Sequence, residues 1–203
     1  MENMVDRPCI NGSNFKELSD SEQEALISPF SRSKIKTAVW ECGCNKAPDP
    51  NGFNIKFIKH FWNILEKDFV EMVNHFYVEE SLDQSLCSSF IALVPKVNGP
   101  TKLEEFRPIN LVGVAVKIVS KILANRMKVV MNSIISENQT AFIKKRYILD
   151  GPLMVNEYLS WMRKKKKQGM IFKIDFEKAY DNISWKFLDS IMANMKFPDK
   201  WRK

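Results

Sequence analysis

Hydrophobic residues recur at helical spacing along much of the chain. The longest such stretches cover residues 55–78 and 115–135, and a third begins at Pro152. Apolar positions three and four residues apart fall on one face of an α-helix, where they can pack against a core. We therefore predict a helix-rich chain in which each stretch buries its apolar stripe.

The residues within the two longest helices refine this prediction. In residues 55–78 the stripe includes Phe57 and Phe61, which we expect in the core. In residues 115–135 the basic side chains, Arg126 among them, are expected mostly on the outer face. A stripe of this kind is typical of a packed helix and needs no ligand to explain it.

Two shorter helices are predicted before these. Ser21 and Glu24 have the spacing of a capping box, for a helix that Pro29 ends. Ser31 is placed to cap a second helix, which stops before Gly43.

Three short runs have the composition of β-strands. FIALVP at residues 90–95 and RPINLV at residues 107–112 are joined by a polar loop that contains Asn98-Gly99-Pro100, which predicts an antiparallel pair. A third apolar run, residues 171–174, leads to Asp175. It predicts a buried strand that presents one carboxylate at its end.

Asp175 is the first candidate for chemistry. Mg²⁺ requires hard oxygen ligands that are held rigidly while phosphates and water fill its other positions, and a strand end supplies that rigidity. The backbone carbonyl of Phe176 is placed to face the same metal. The alternatives are that Asp175 caps the following helix or pairs with Lys178.

Composition excludes several classes of protein. A chain of 203 residues with 45% hydrophobic content can bury a core. It has no apolar run of about 20 residues and no signal-peptide pattern, so we expect an intracellular protein, nuclear or cytoplasmic, without membrane contact. Cys42 and Cys44 have one residue between them and no histidine nearby, which argues against a zinc site and for reduced thiols.

The charge is divided unevenly between the two halves of the sequence. Residues 1–100 contain 10 basic and 14 acidic residues, whereas residues 101–203 contain 21 basic and 10 acidic ones. A basic field of this kind usually faces nucleic acid, because neutralising phosphates releases counterions. For the basic run at residues 163–167, a solvated loop is an equal alternative.

The segment DFEKAYDNISWKFL, residues 175–188, resembles the first palm motif of reverse transcriptases from non-LTR (LINE-type) retrotransposons, in the form common in plants. The resemblance implies a right-hand polymerase in which Asp175 helps to bind two Mg²⁺ ions, with Phe176 beside it. It also implies that Tyr180 lies under the incoming sugar and excludes a 2′-hydroxyl group. Spacing alone allows Tyr180 to be a core residue instead.

Two further segments carry the resemblance. LVPKVNGP and EEFRPINLV match the fingers, which implies that Lys96 and Arg107 contact the triphosphate of a nucleotide. Arg107 pairing with Glu104 or Glu105 is the alternative.

The segment ENQTAFIKKRYILDG is similar to one that positions the template strand, and Gln139, Phe142 and Arg146 match it. Lys145 stands where the family usually has glycine. Asp49, in NKAPDPNGF, also replaces a family glycine.

The expected fold class is α+β: a partial right-hand polymerase, fingers plus the start of the palm, helix-rich with a short antiparallel hairpin and one central palm strand. The motifs predict four divisions: an N-terminal extension (residues 1–30), a helical region before the fingers (31–88), a fingers-like region (89–169), and the first palm strand and helix (170–203).

The implied function is RNA-directed DNA synthesis on an RNA template with a DNA primer and deoxynucleotides. The sequence contains no adjacent Asp-Asp pair, which this two-metal chemistry normally uses, so we expect no polymerase activity from this chain alone. The alternatives are a nucleic-acid-binding remnant without catalysis and a portion of a maturase-type polymerase of group II introns.

Overall fold

The computed structural model describes residues 15–44, 48–50, 52–176 and 182–203. The described residues form eight α-helices: α1 (Asp20–Ile27), α2 (Arg32–Glu41), α3 (Ile55–His60), α4 (Trp62–Glu79), α5 (Val114–Ile134), α6 (Asp150–Lys164), α7 (Trp185–Asn194) and α8 (Asp199–Arg202). Two strands, β1 (Ser89–Pro95) and β2 (Phe106–Val112), and two 3₁₀ turns, Gln84–Cys87 and Leu103–Glu105, complete the elements. The predicted helix-rich chain with one antiparallel hairpin is confirmed.

The chain divides into two compact units. One comprises residues 25–129 together with residue 203, and the other comprises residues 1–24 and 130–202. The first unit contains a contiguous apolar core. Its best-buried members include Ile35 and Val39 of α2, Val73 of α4 and Ile118 of α5. In the second unit, the buried apolar side chains are Leu18, Val130, Ile134, Met162 and Phe197.

The predicted N-terminal helices are present, with one correction at the first cap. Ser31 caps α2 as expected, because its side chain accepts a hydrogen bond from the backbone N–H of Lys34. The capping box of α1 is formed by Ser19 and Glu22 and not by Ser21 and Glu24. The backbone N–H of Ser19 donates to the Glu22 carboxylate at 2.9 Å, and the Glu22 N–H donates to the Ser19 hydroxyl at 3.4 Å. The helix begins at Asp20, which makes Ser19 the residue in position to cap it.

The predicted helix over residues 55–78 is two helices, and its apolar stripe is only partly buried. The break falls at Phe61, between α3 and α4. Phe57 and Phe61, expected in the core, are exposed, as is Ile64. Because the helix breaks at Phe61, apolar positions on its two sides do not continue on one face. Phe57 instead lies between Phe53 and Phe61, with ring centroids 4.8 and 4.7 Å away and the ring planes tilted against each other.

Arg126 of α5 is buried, which corrects its expected outward position. Its Nη1 donates to the carbonyl of Leu26 at 2.8 Å, and its Nη2 donates to the carbonyl of Pro29 at 3.0 Å. The guanidinium carbon lies 3.6 Å from the centroid of the Phe30 ring. Burial lowers the pKa of Arg126 to about 10, which leaves the group charged at neutral pH. It therefore fastens the carbonyl end of α1 to α5.

The predicted palm strand at residues 171–176 is not formed. This segment forms no strand, and its side chains are exposed; the exposed fraction of Phe172 is 79%. A strand requires a neighbouring backbone to pair with, and among the described residues β1 and β2 pair only with each other. The apolar run therefore predicts a strand for which the described residues offer no pairing partner.

Within the described residues, no helix is both long and apolar enough to cross a membrane.

Candidate active site

The β1–β2 hairpin brings two predicted site residues to one face. Val94 pairs with Arg107 across the strands, and the backbone N–H of Lys96 extends the ladder by donating to the carbonyl of Glu105 at 2.7 Å. Side chains on paired positions share a face, and positions two apart along a strand do so as well. Lys96 and Arg107 are therefore diagonal neighbours on the same face, a relation that places such residues about 7–8 Å apart.

Both cations retain donors for an anion. The Nζ of Lys96 donates to the carbonyl of Glu104 at 2.7 Å, which uses one of its three donors. Arg107 is exposed and forms no ion pair with Glu104 or Glu105 in the described structure. A phosphate group could thus approach the hairpin without first displacing a carboxylate.

The Glu105 carboxylate is hydrogen-bonded to the turn that joins the strands. Its carboxylate accepts hydrogen bonds from the backbone N–H groups of Thr101, at 2.6 Å, and Lys102, at 3.1 Å. The bond from Thr101, followed by that from Lys102, lowers the pKa of the Glu105 carboxyl group. This explains why Arg107 is not paired with its acidic neighbour: the carboxylate stabilises the loop.

Asp175 and Phe176 lie in the exposed segment that replaces the predicted strand. They belong to the unit that includes residues 130–202, whereas the hairpin belongs to the unit that includes residues 25–129. Tyr180 lies outside the described residues. Among the described residues no three His, Cys, Asp or Glu side chains cluster closely enough to hold a metal ion. Asp175 can contribute one hard oxygen ligand, but the described residues do not by themselves make up a two-metal site.

The loop after α5 contains the three predicted nucleic-acid contacts. Arg146 donates to three backbone carbonyls: Nη2 to Ile135 at 3.1 Å, and Nη1 to Gln139 at 2.8 Å and to Ser136. Gln139 is itself exposed, and its side-chain amide donates to the carbonyl of Ala141 at 3.2 Å. Arg146 thus holds the loop against the carbonyl end of α5, where a cation is favoured.

Two residues of this loop adopt the left-handed conformation. Phe142 has φ +65° and is 92% exposed, and Lys145 has φ +69°. Lys145 is the position where the family usually has glycine, and a side chain there makes a positive φ unfavourable. The structure keeps the positive φ with lysine in place. The aromatic ring of Phe142 extends from the loop into solvent.

Asp49 is a structural residue that sequence reasoning treated only as a departure from the family pattern. It is 8% exposed, and its two oxygens accept hydrogen bonds from the backbone N–H groups of Phe53, at 3.0 Å, and Val114, at 3.1 Å. The second bond caps α5 directly after β2. Its signal in the sequence is an acidic residue between two prolines, the kind of side chain that caps a neighbouring backbone.

A cavity of about 300 Å³ opens beside this cap. Apolar side chains make up most of its lining, together with the carboxylates of Asp49 and Asp68. Gly113 stands between β2 and α5, where an added Cβ would lie 3.1 Å from the backbone carbonyl oxygen of Leu86. The hairpin and α5 are therefore joined by a tightly packed turn.

Comparison with known proteins assigns the chain to a family. The sequence profile described as "Reverse transcriptase (RNA-dependent DNA polymerase)" matches residues 94–203, more than half of the chain. The matched region includes Lys96, Arg107 and Asp175. The chain belongs to this reverse transcriptase family.

Two relatives place it among the non-LTR, LINE-type elements. The "Transposon TX1 uncharacterized 149 kDa protein" of Xenopus laevis is 26% identical over 180 residues, which is 89% of this chain and 14% of that protein. The "Retrovirus-related Pol polyprotein from type-1 retrotransposable element R2" of Nasonia vitripennis is 23% identical over 194 residues, 96% of this chain and 18% of that protein. The chain thus spans less than a fifth of either relative. Neither relative supports the expected plant-type form.

Proposed function

We propose that this chain supplies the nucleotide-binding fingers and the first metal-binding carboxylate of an RNA-directed DNA polymerase. The observation that carries the proposal is the hairpin register, which puts Lys96 and Arg107 on one exposed face with donors available. In this proposal the RNA template, the DNA primer and the deoxynucleotide are the partners. The hairpin belongs to the fingers of a right-hand fold and residues 170–203 to the start of its palm.

The chemistry of the two cations fits a triphosphate. Arg107 presents a planar fork of N–H donors that can bind two phosphate oxygens at once, and Lys96 adds a compact positive charge. As the bond to the leaving pyrophosphate breaks, negative charge grows on those oxygens, and cations fixed on a strand pair stabilise it. The short β-ladder between β1 and β2 limits how far the two side chains can separate.

Asp175 has a separate role in the proposal. Mg²⁺, when bound, would polarise the phosphates and lower the pKa of the primer hydroxyl group. Asp175 would provide one anionic oxygen for it, with the carbonyl of Phe176 beside it and Tyr180 under the sugar. Gln139 and Phe142 would face the template, and Arg146 would act by holding their loop, because its guanidinium is engaged by backbone carbonyls.

Nucleotide binding tests this proposal. The affinity of the 203-residue chain for a fluorescent deoxynucleoside triphosphate with Mg²⁺ should fall about tenfold in Arg107→Gln and in Lys96→Gln, because each loses a charge-assisted hydrogen bond. Lys102→Gln, in the same hairpin turn, is the control with an equal change of charge and should bind as the wild type does. Equal affinities in all four proteins would refute the assignment of the hairpin.

The basic second half of the chain supports a second candidate, a nucleic-acid-binding remnant without catalysis. Residues 101–203 carry the excess of lysine and arginine. On this reading, a salt-dependent complex with RNA would form equally well with Asp175→Ala. The nucleotide-binding assay separates the two candidates, because only the polymerase proposal predicts weaker triphosphate binding in Arg107→Gln and Lys96→Gln.

A further inference from the structure

Helix α6 carries two aromatic rings on its outer surface. Tyr158 and Trp161 are 57% and 43% exposed, and their rings stack with centroids 5.9 Å apart and planes inclined by 21°. Residues three apart are neighbours on a helix surface, so the helix itself holds the pair in place. A pair of stacked, partly exposed rings resembles the aromatic platforms on which nucleic-acid bases stack.

The basic run that follows, Arg163–Lys167, has a defined backbone. The N–H of Lys167 donates to the carbonyl of Met162 at 3.0 Å, and the N–H of Lys166 donates to that of Arg163 at 3.2 Å. With Lys166 at φ +52°, these bonds form a Schellman motif that ends α6. The run is therefore a helix end with fixed geometry rather than a free loop.

One of these cations is ordered against the aromatic pair. The Nζ of Lys167 lies 5.1 Å from the centroid of the Trp161 ring, within the range of a cation–π contact. Gly169 packs on the same helix end, since an added Cβ there would lie 1.9 Å from the terminal methyl group of Met162. The chain thus turns back so that the ammonium group of Lys167 lies beside Trp161.

We infer that Tyr158, Trp161 and the run Arg163–Lys167, named here the aromatic–basic surface, bind single-stranded nucleic acid. The rings take unpaired bases, and the adjacent cations take the phosphates of the same strand. Single strands fit because a base within a duplex has no free face to stack. None of the residues assigned to the nucleotide or the metal takes part.

The inference rests on the proposed function only in that its partner is a nucleic acid. The inference can be wrong while the proposed nucleotide site is right, because the two sites use different residues. The experiment therefore includes Asp175→Asn, which should leave binding to this surface unchanged.

The test measures binding of a fluorescein-labelled oligouridylate to the full chain over a range of salt concentrations. Neutralising two cations in Lys164→Gln/Lys165→Gln should reduce the slope of log affinity against log salt by about 1.4, at about 0.7 for each lost phosphate contact. Tyr158→Ala should weaken binding about fivefold or more, as expected for one stacked base. Lys56→Gln/Lys67→Gln, exposed lysines of the other unit, is the charge-matched control and should bind as the wild type does.

Tryptophan fluorescence distinguishes base stacking from general electrostatic binding. Binding should quench part of the emission, and Trp161→Phe should abolish that part while keeping affinity within about threefold, because phenylalanine still stacks. Equal losses of affinity in the control pair, undiminished affinity in Tyr158→Ala, or undiminished quenching in Trp161→Phe would show general electrostatic binding and overturn the inference. The inference would also be overturned if these residues were needed for binding to phosphatidylserine vesicles but not for binding to the oligonucleotide.

Discussion

At the scale of single residues, two arginine side chains have structural contacts that the sequence did not predict. Arg126 and Arg146 each donate to backbone carbonyls at a helix end. For Arg126 the helical period is misleading, because it assigns a cation to the outer face without regard to which backbone carbonyls need donors. A guanidinium group carries five donors and can satisfy several such carbonyls at once.

Removing the Arg126 side chain should therefore destabilise the chain. Arg126→Met keeps the aliphatic volume but leaves the carbonyls of Leu26 and Pro29 without their donor, and should lower the free energy of unfolding by about 3 kcal/mol. Urea denaturation followed by circular dichroism measures this. Lys128→Met, exposed on the same helix, should change stability by no more than about 0.5 kcal/mol. Similar values for the two variants would contradict the role given to Arg126.

Lys145 offers a test of backbone strain. Its positive φ is unfavourable for lysine and free of cost for glycine, so Lys145→Gly should leave stability unchanged or raise it by up to about 1 kcal/mol. Lys144→Gly, the adjacent lysine without a positive φ, should lower it by about 0.5–1 kcal/mol. Thermal unfolding of the two variants compares them at equal charge. A larger loss in Lys145→Gly would mean that the loop does not hold this conformation.

At the scale of elements, the hairpin and the helices follow from local patterns, whereas the palm strand does not. Two β-rich runs with a turn between them carry their own pairing partner. The run Ile171–Ile174 has strand composition as well, but its pairing depends on another segment. The break at Phe61 is equally invisible in the sequence, because the apolar residues of α3 and α4 continue at helical spacing across it.

The link between the turn at Asp49 and α5 is an element-scale contact that spans 65 residues of sequence. Asp49→Ala removes acceptors from the N–H groups of Phe53 and Val114, and should lower the free energy of unfolding by about 1–2 kcal/mol. Asp68→Ala, which lines the same cavity from an exposed position, serves as the control and should cost less than about 0.5 kcal/mol. If Asp49→Ala proved neutral, the carboxylate would not be what caps α5.

At the scale of the whole molecule, the sequence identified the family correctly, whereas the roles given to the hairpin cations stay a prediction. The match to the reverse transcriptase family covers residues 94–203, where the motifs around Lys96, Arg107 and Asp175 lie. What sequence reasoning could not supply is the arrangement around Asp175, since a carboxylate acquires its partners only through long-range packing. The absence of an adjacent Asp-Asp pair from the 203 residues remains the chemical argument against independent catalysis.

The most direct test of this account is primer extension by the 203-residue chain on an RNA template, with Mg²⁺ and deoxynucleotides at concentrations that saturate binding. The account predicts no template-dependent product from the wild type or from Asp175→Asn, because one carboxylate does not position two metal ions. Template-dependent DNA synthesis by the wild type that Asp175→Asn abolishes would contradict it, since the chain would then contain a complete catalytic centre.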